Sequence, residues 1–292
     1  MTNTQQKPSF NLSELTTVAV NTVQEGTRIG LKGYSGAIRR QLEEHDTWTE
    51  GWFAEGVGQG LYLHDLRHEN NFEHLFQFLS NFPERGFTIA AYIGVGLAIG
   101  HSGTFSSEVY EKLDEEDRSW VFDGLGFYKI LYAQNPTFTN VEIPNYVDLE
   151  EERQSAFYSG VGRGLWFSVG GYEIEKLVKA AGSFPTRHQE WIWCGLGFAS
   201  TYAGGTEQIL LNLKEKAGVN LEFLRVGSAI AILEQGKVQV AHRESAAQVF
   251  FGKSIFEIVD IVFPMGVSRD HNTKITNATS KTWIEETLAV LK

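Results

Sequence analysis

Two carboxylates and one guanidinium stand inside otherwise apolar, glycine-rich runs of this sequence. They are Glu55 in WFAEGVGQGLYL (52–63), Asp123 in WVFDGLGFYKI (120–130) and Arg163 in AFYSGVGRGLWF (156–167). A charge in such surroundings is costly to bury unless it is paired. Arg163 with Glu55 or Asp123 makes a suitable pair. As structure, the pair would join distant parts of the chain; as chemistry, it would leave a perturbed carboxylate for acid–base work. These three are candidate catalytic residues, together with His242 and Glu244 of VAHRESAAQVFFG (240–252). That last stretch precedes an expected helix, which Glu244 or Ser245 could simply cap.

His64 and His68 in HDLRHE stand at i, i+4, a spacing able to hold a metal. The glutamate of H-E-x-x-H is missing and nothing equivalent recurs, so the run reads as a surface helix end and no metal is assigned. There is no G-x-S-x-G elbow and no P-loop. GVGRGL and GVGQGL do not satisfy G-x-G-x-x-G, so a dinucleotide is not expected and no cofactor is assigned.

The elements that must position these residues repeat. Besides the three runs above, AYIGVGLAIG (91–100), WIWCGLGFAS (191–200) and FLRVGSAIAI (223–232) carry related patterns. The runs at 52–63 and 156–167 match at an offset of 104, those at 91–100 and 191–200 at 101. NFPERG (81–86) and SFPTRH (183–188) share Phe-Pro-x-Arg at an offset of 102. A repeat of this size decides fold before local detail does. The flanks are helical: NNFEHLFQFLSNF places Phe72, Leu75, Phe76 and Leu79 on one stripe, and EIEKLVKAA and TEQILLNLKEKAG follow the same spacing. LDEEDRS (113–119) offers Asp114 as an N-cap with acids in a first turn. The expected fold is mostly α, a single large helical domain built from two tandem units of about 100 residues. Glycine-marked inner helices would alternate with amphipathic outer ones. Expected boundaries are 1–45 for an N-terminal segment and helix, 46–150 and 151–262 for the two units, and 263–292 for a loop and a last helix over 282–291.

Glycine inside a helix costs about 1 kcal/mol against alanine, so these runs forgo on the order of ten kcal/mol of propensity. On a helical wheel Gly56 and Gly60 share one face and Gly58 the opposite one; Gly160 and Gly164 oppose Gly162 likewise. Two compensations fit. Helices could pack backbone to backbone, or the missing side chains could leave a cavity for a flat or extended apolar ligand. On the second reading Gly56, Gly60, Gly124, Tyr128, Gly160, Gly164, Trp166 and Tyr202 would line a ligand site.

Composition narrows the classes. Net charge is −11, from 36 acidic and 25 basic residues, with no basic cluster, so a nucleic-acid footprint is absent. One cysteine, Cys194, excludes an intrachain disulfide and fits a reducing cytoplasm. MTNTQQKPSF lacks the halves of a signal peptide, and the longest apolar run, Ile89–Ile99, is far below the ~20 residues of a membrane span.

FAEGVGQGLYLHD, FDGLGFYK, GVGRGLWF, CGLGFASTYAGG and AHRESAAQVFFGKS resemble, in that order, the recurrent blocks of a bacterial protein family of unknown function that is often encoded in enediyne polyketide gene clusters. The resemblance runs from about Glu50 to Ile261. By position it carries over Glu55, Asp123, Arg163, Tyr202, His242 and Glu244. Where the family's FDGLGFYK-like block has histidine, this chain has Tyr128, so a histidine base at that place is lost or altered. The resemblance implies secondary metabolism and a large apolar intermediate as ligand. The expected function is a cofactor-independent cyclase or tailoring protein: Glu55, Asp123 or His242 would shuttle protons, and Arg163 would bind a carboxylate or developing enolate. The alternative is a non-enzymatic helical-repeat protein that binds a partner. A homodimer stays open.

Overall fold

The structure, a computed structural model, describes residues 12–45, 49–68, 71–83, 85–115, 117–132, 151–169, 173–234, 241–262 and 289. Every regular element among them is helical: α1 (Leu12–Gly30), α2 (Gly36–Glu44), α3 (Glu50–His68), α4 (Glu73–Asn81), α5 (Arg85–Ser102), α6 (Ser107–Lys112), α7 (Trp120–Leu131), α8 (Glu151–Val169), α9 (Ile174–Gly182), α10 (Thr186–Tyr202), α11 (Glu207–Ala217), α12 (Leu221–Glu234), α13 (Ala241–Phe251) and α14 (Ile255–Val262). The chain is a mostly α single domain. The expected C-terminal loop and its helix over 282–291 fall outside the described residues, residue 289 excepted.

The outer helices follow the sequence pattern. In α9 the buried residues are Ile174, Leu177, Ala180 and Ala181. In α11 they are Leu210, Leu213 and Ala217, and the Thr206 hydroxyl caps the helix by accepting from the Ile209 N–H. Two local expectations are corrected. LDEEDRS closes a single turn, Arg118 N–H donating to the Asp114 carbonyl at 2.9 Å, and α7 starts only at Trp120. His242, Glu244 and Ser245 lie inside α13, not ahead of it.

The inner helices form one continuous row, α1–α3–α5–α7–α8–α10–α12, each packed on the next. Glycine makes every step. A methyl on Gly56 or Gly60 of α3 would strike the Val23 or Thr27 carbonyl of α1, and Gly26 and Gly30 of α1 answer from the other side. Gly58 meets Ala91 and Gly94 meets the Glu55 carbonyl at the α3–α5 step. Gly96 and Gly124 join α5 to α7; Gly126 and Gly160 join α7 to α8; Gly162 and Gly195 join α8 to α10; Gly197 and Gly227 join α10 to α12. Glycine Cα atoms thus face neighbouring carbonyls, the arrangement of Cα–H···O contacts between helices. Of the two compensations, close packing holds here and the cavity reading does not: backbone occupies the space beside Gly56, Gly60, Gly124 and Gly160, and the Ile130 side chain with the Phe127 carbonyl fills that beside Gly164.

The G-x-G spacing explains the rest. Two residues advance about 200° around a helix, so paired glycines serve two neighbours on nearly opposite faces. Of the two sides left, one receives the middle residue: Val57, Val95, Leu125, Val161 or Leu196, all buried. The other receives the residue one before the first glycine and the residue three after it. Those pairs are Glu55 and Gln59, Ile93 and Leu97, Asp123 and Phe127, Ser159 and Arg163, Cys194 and Phe198. The row curls so that these second sides meet at its centre: Trp120 of α7 contacts Phe198 of α10, and Trp52 of α3 contacts Tyr202 of α10, with ring centroids 5.8 and 5.9 Å apart.

The order inner, outer, inner, outer, inner occurs twice, as α3 to α7 and α8 to α12. The Phe-Pro pairs sit alike in both. Phe82 and Phe184 are buried, just ahead of α5 and α10.

Candidate functional site

Arg163 occupies the centre of the curled row. Its Nη1 donates to Asp123 Oδ1, and its Nη2 stands 3.8 Å from Glu55 Oε2. All three side chains are buried. Phe127 and Phe198 bracket the guanidinium, their ring centroids 4.9 and 5.3 Å from its carbon, so it is held by cation–π contacts as well as charge. The sequence-expected grouping of Glu55, Asp123 and Arg163 is therefore present in space.

Charge balance sets the protonation state. One cation faces two buried carboxyls, so full ionisation would leave one buried negative charge uncompensated. Burial raises both carboxyls above their ordinary range, with Arg163 pulling each back. Asp123 has direct contact with the guanidinium and a hydrogen bond with Ser159. Glu55, farther from the cation and repelled by Asp123, is pushed up to about 7. At neutral pH the cluster thus holds a proton poised between bound and free on Glu55. Cys194 carries no such role: burial and then Asp123 push its thiol up to about 12, so it stays neutral.

A small cavity of about 30 Å³ adjoins Glu55 and Arg163. Its other walls are mostly apolar, Val20 and Val23 of α1, Trp52 of α3, Leu97 of α5, Phe127 of α7 and Phe167 of α8, with the phenol of Tyr132 beside them. That volume suits about one water molecule.

The other expected residues are more widely spread. Tyr128 is half-buried, its ring lying over Gly100 and stacked on Tyr132 with centroids 4.8 Å apart. Trp166 is fully buried with its indole N–H unbonded among the described residues. Glu244 accepts from the Ile255 N–H at 3.2 Å and so caps α14, not its own helix. His242 lies on α13, and its side chain falls outside the described residues. Tyr202 joins the site: its ring stacks on Phe198 at 5.5 Å.

Sequence reasoning missed Arg243. This side chain is 1% exposed, and its three guanidine nitrogens have no hydrogen-bond partner among the described residues. Its carbon lies 5.4 Å from the Tyr202 ring centroid. Burial pushes its pKa down to about 10. Arg243, Tyr202, Phe198, Arg163 and Phe127 therefore form an unbroken ladder of cations and rings. Ser159, Phe127 and Phe198 were also missed, although the positions flanking each G-x-G would have found them.

Residues 4–286 match the family described as "Protein of unknown function (DUF1702)", and the chain belongs to that family. No curated protein and no solved structure matches it. Among the described residues no helix is long and apolar enough to cross a membrane.

Proposed function

We propose that this member of the family holds a large apolar intermediate of secondary metabolism, polyketide- or polyene-like, against the inner face of the row. There it would act as a cyclase or other tailoring enzyme without an organic cofactor. The observation that carries this reading is the fully buried Glu55, poised near neutrality beside Arg163 on an aromatic face. Glu55 gives its proton to one carbon of the ligand and a carboxylate takes one back from another, so no electrons are exchanged. Arg163 stabilises the carboxylate left behind or an enolate forming on the ligand. Arg243 extends the reading: a buried guanidinium with no hydrogen-bond partner among the described residues, at the far end of the ladder, calls for an acidic group on the ligand. Because the cavity holds about one water, the ligand must displace inner-face aromatics such as Trp52 and Phe127 on entering.

The small cavity is also the one observation that favours the second reading, a helical-repeat protein binding a partner chain. A conjugated polyenoic acid and protein from a polyene-producing host separate the two. On the first reading the chain retains the compound at one per chain with quenching of tryptophan fluorescence, and Glu55→Gln retains it unconverted. No retained or converted compound in either setting sinks the first reading in favour of the second.

A further inference from the structure

A second polar cluster lies away from Arg163, where α3 ends and α4 begins. His74, brought back by the α3–α4 turn, joins His64 and His68 there. The His64 ring centroid is 4.3 Å from that of His68 and 4.7 Å from that of His74. Each Nδ1 faces an oxygen. His64 Nδ1 meets the Leu31 carbonyl at 3.0 Å, His68 Nδ1 the His64 carbonyl at 2.8 Å, and His74 Nδ1 the Asp65 carboxylate at 2.8 Å. A carbonyl or carboxylate oxygen only accepts, so Nδ1 must donate in all three rings. Each neutral imidazole then keeps its lone pair on Nε2, the arrangement of metal-bound histidines.

Two of those Nε2 atoms converge. A Cβ on Gly33 would sit 3.0 Å from His74 Nε2 and 3.1 Å from His64 Nε2, so only glycine leaves that space open. The ligand atoms of His64, Asp65 and His74 lie within 4.8 Å of one another. Two nitrogens on a tetrahedral zinc ion are about 3.3 Å apart, so binding one requires the rings to turn toward each other. Asp65 orients rather than ligates: it is buried, one oxygen on His74 and the other accepting from the Leu75 N–H at 3.0 Å.

We propose that His64, His68 and His74 form a site for a divalent transition ion of the zinc type, with Asp65 as a positioning residue. Three imidazoles suit zinc, cobalt, nickel or copper over calcium or magnesium. His68, now stacked flat on His64, turns edge-on to complete the set. The ion would pin the α1–α2 connection, through Leu31 and Gly33, to α3 and α4, and α1 is a wall of the cavity beside Glu55.

Untagged full-length protein titrated with Co²⁺, and with Zn²⁺ in competition, tests the site. The expected result is one ion per chain with cobalt absorption in the visible range, and at least tenfold weaker binding in each of His64→Gln, His68→Gln and His74→Gln. Excess Zn²⁺ should raise Tm in the wild type and not in those variants. Asp65→Asn should weaken binding roughly 10- to 100-fold, the range for outer-shell partners. No saturable binding by the wild type, or binding that survives the loss of any one of the three histidines, overturns the assignment.

Discussion

Glu55 on α3 and Arg163 on α8 stand 3.8 Å apart, although α5 and α7 separate their helices in the row. The closeness exists because the row curls, and the curl brings a second carboxyl, Asp123, onto the same cation.

The raised Glu55 fixes a pH dependence. Its folded pKa of about 7 exceeds the ordinary 4.5, so the folded state binds more protons across that interval. The stability it contributes is full below about pH 4.5 and is lost as pH rises toward and through 7. The loss is on the order of 3 kcal/mol at most. Glu55→Gln mimics the protonated carboxyl, so urea midpoints measured from pH 5 to 8 should fall in the wild type and fall less in the variant, where the raised Asp123 alone remains.

Arg163→Met leaves Asp123 buried without its cation, and unfolding free energy should drop by about 3–5 kcal/mol. Adding Asp123→Asn should restore a large part of that loss. Denaturant titration of the two singles and the double closes the cycle, and additive losses would contradict the pairing.

Gly160→Ala drives a methyl into the Asp123 carbonyl, which helix geometry holds in place. The cost should be several kcal/mol, beyond the ~1 kcal/mol that alanine returns in propensity. Gly182→Ala, at the open end of α9 with nothing within 4 Å, should be neutral or mildly stabilising. Equal thermal shifts for the two would refute the close-packed row.

Arg243→Met removes a buried charge that has no hydrogen-bond partner among the described residues, while keeping much of the side chain's length. The free protein should gain about 1 kcal/mol or more. The same variant should bind a polyenoic acid at least tenfold more weakly and its methyl ester as well as the wild type does. Equal binding of acid and ester by the wild type would remove Arg243 from ligand recognition, leaving the apolar part of the reading intact.

Helical class and the alternation of layers were legible in the chain because both are periodic. Leu177 and Ala181, or Leu210 and Leu213, recur at helical spacing, and G-x-G recurs in five runs. The Glu55–Asp123–Arg163 grouping was legible because a charge inside an apolar run must find a partner. Gly26 and Gly30 went unread since GTRIG lacks the aromatic flank of the other runs, yet they make α1 the first inner helix. Arg243 was passed over because its neighbours Glu244 and Ser245 offered a simpler capping pattern.

The sequence by itself determined which residues lie on each face of each inner helix, since two residues always turn a helix by about 200°. Only the tertiary structure decided that the faces carrying Glu55, Asp123 and Arg163 meet, that Tyr202 links Arg243 to them, and that His74 comes back to His64. Those are contacts between segments tens of residues apart or joined by a turn, set by the curvature of the whole row and the angle of each connection, and no local spacing encodes them.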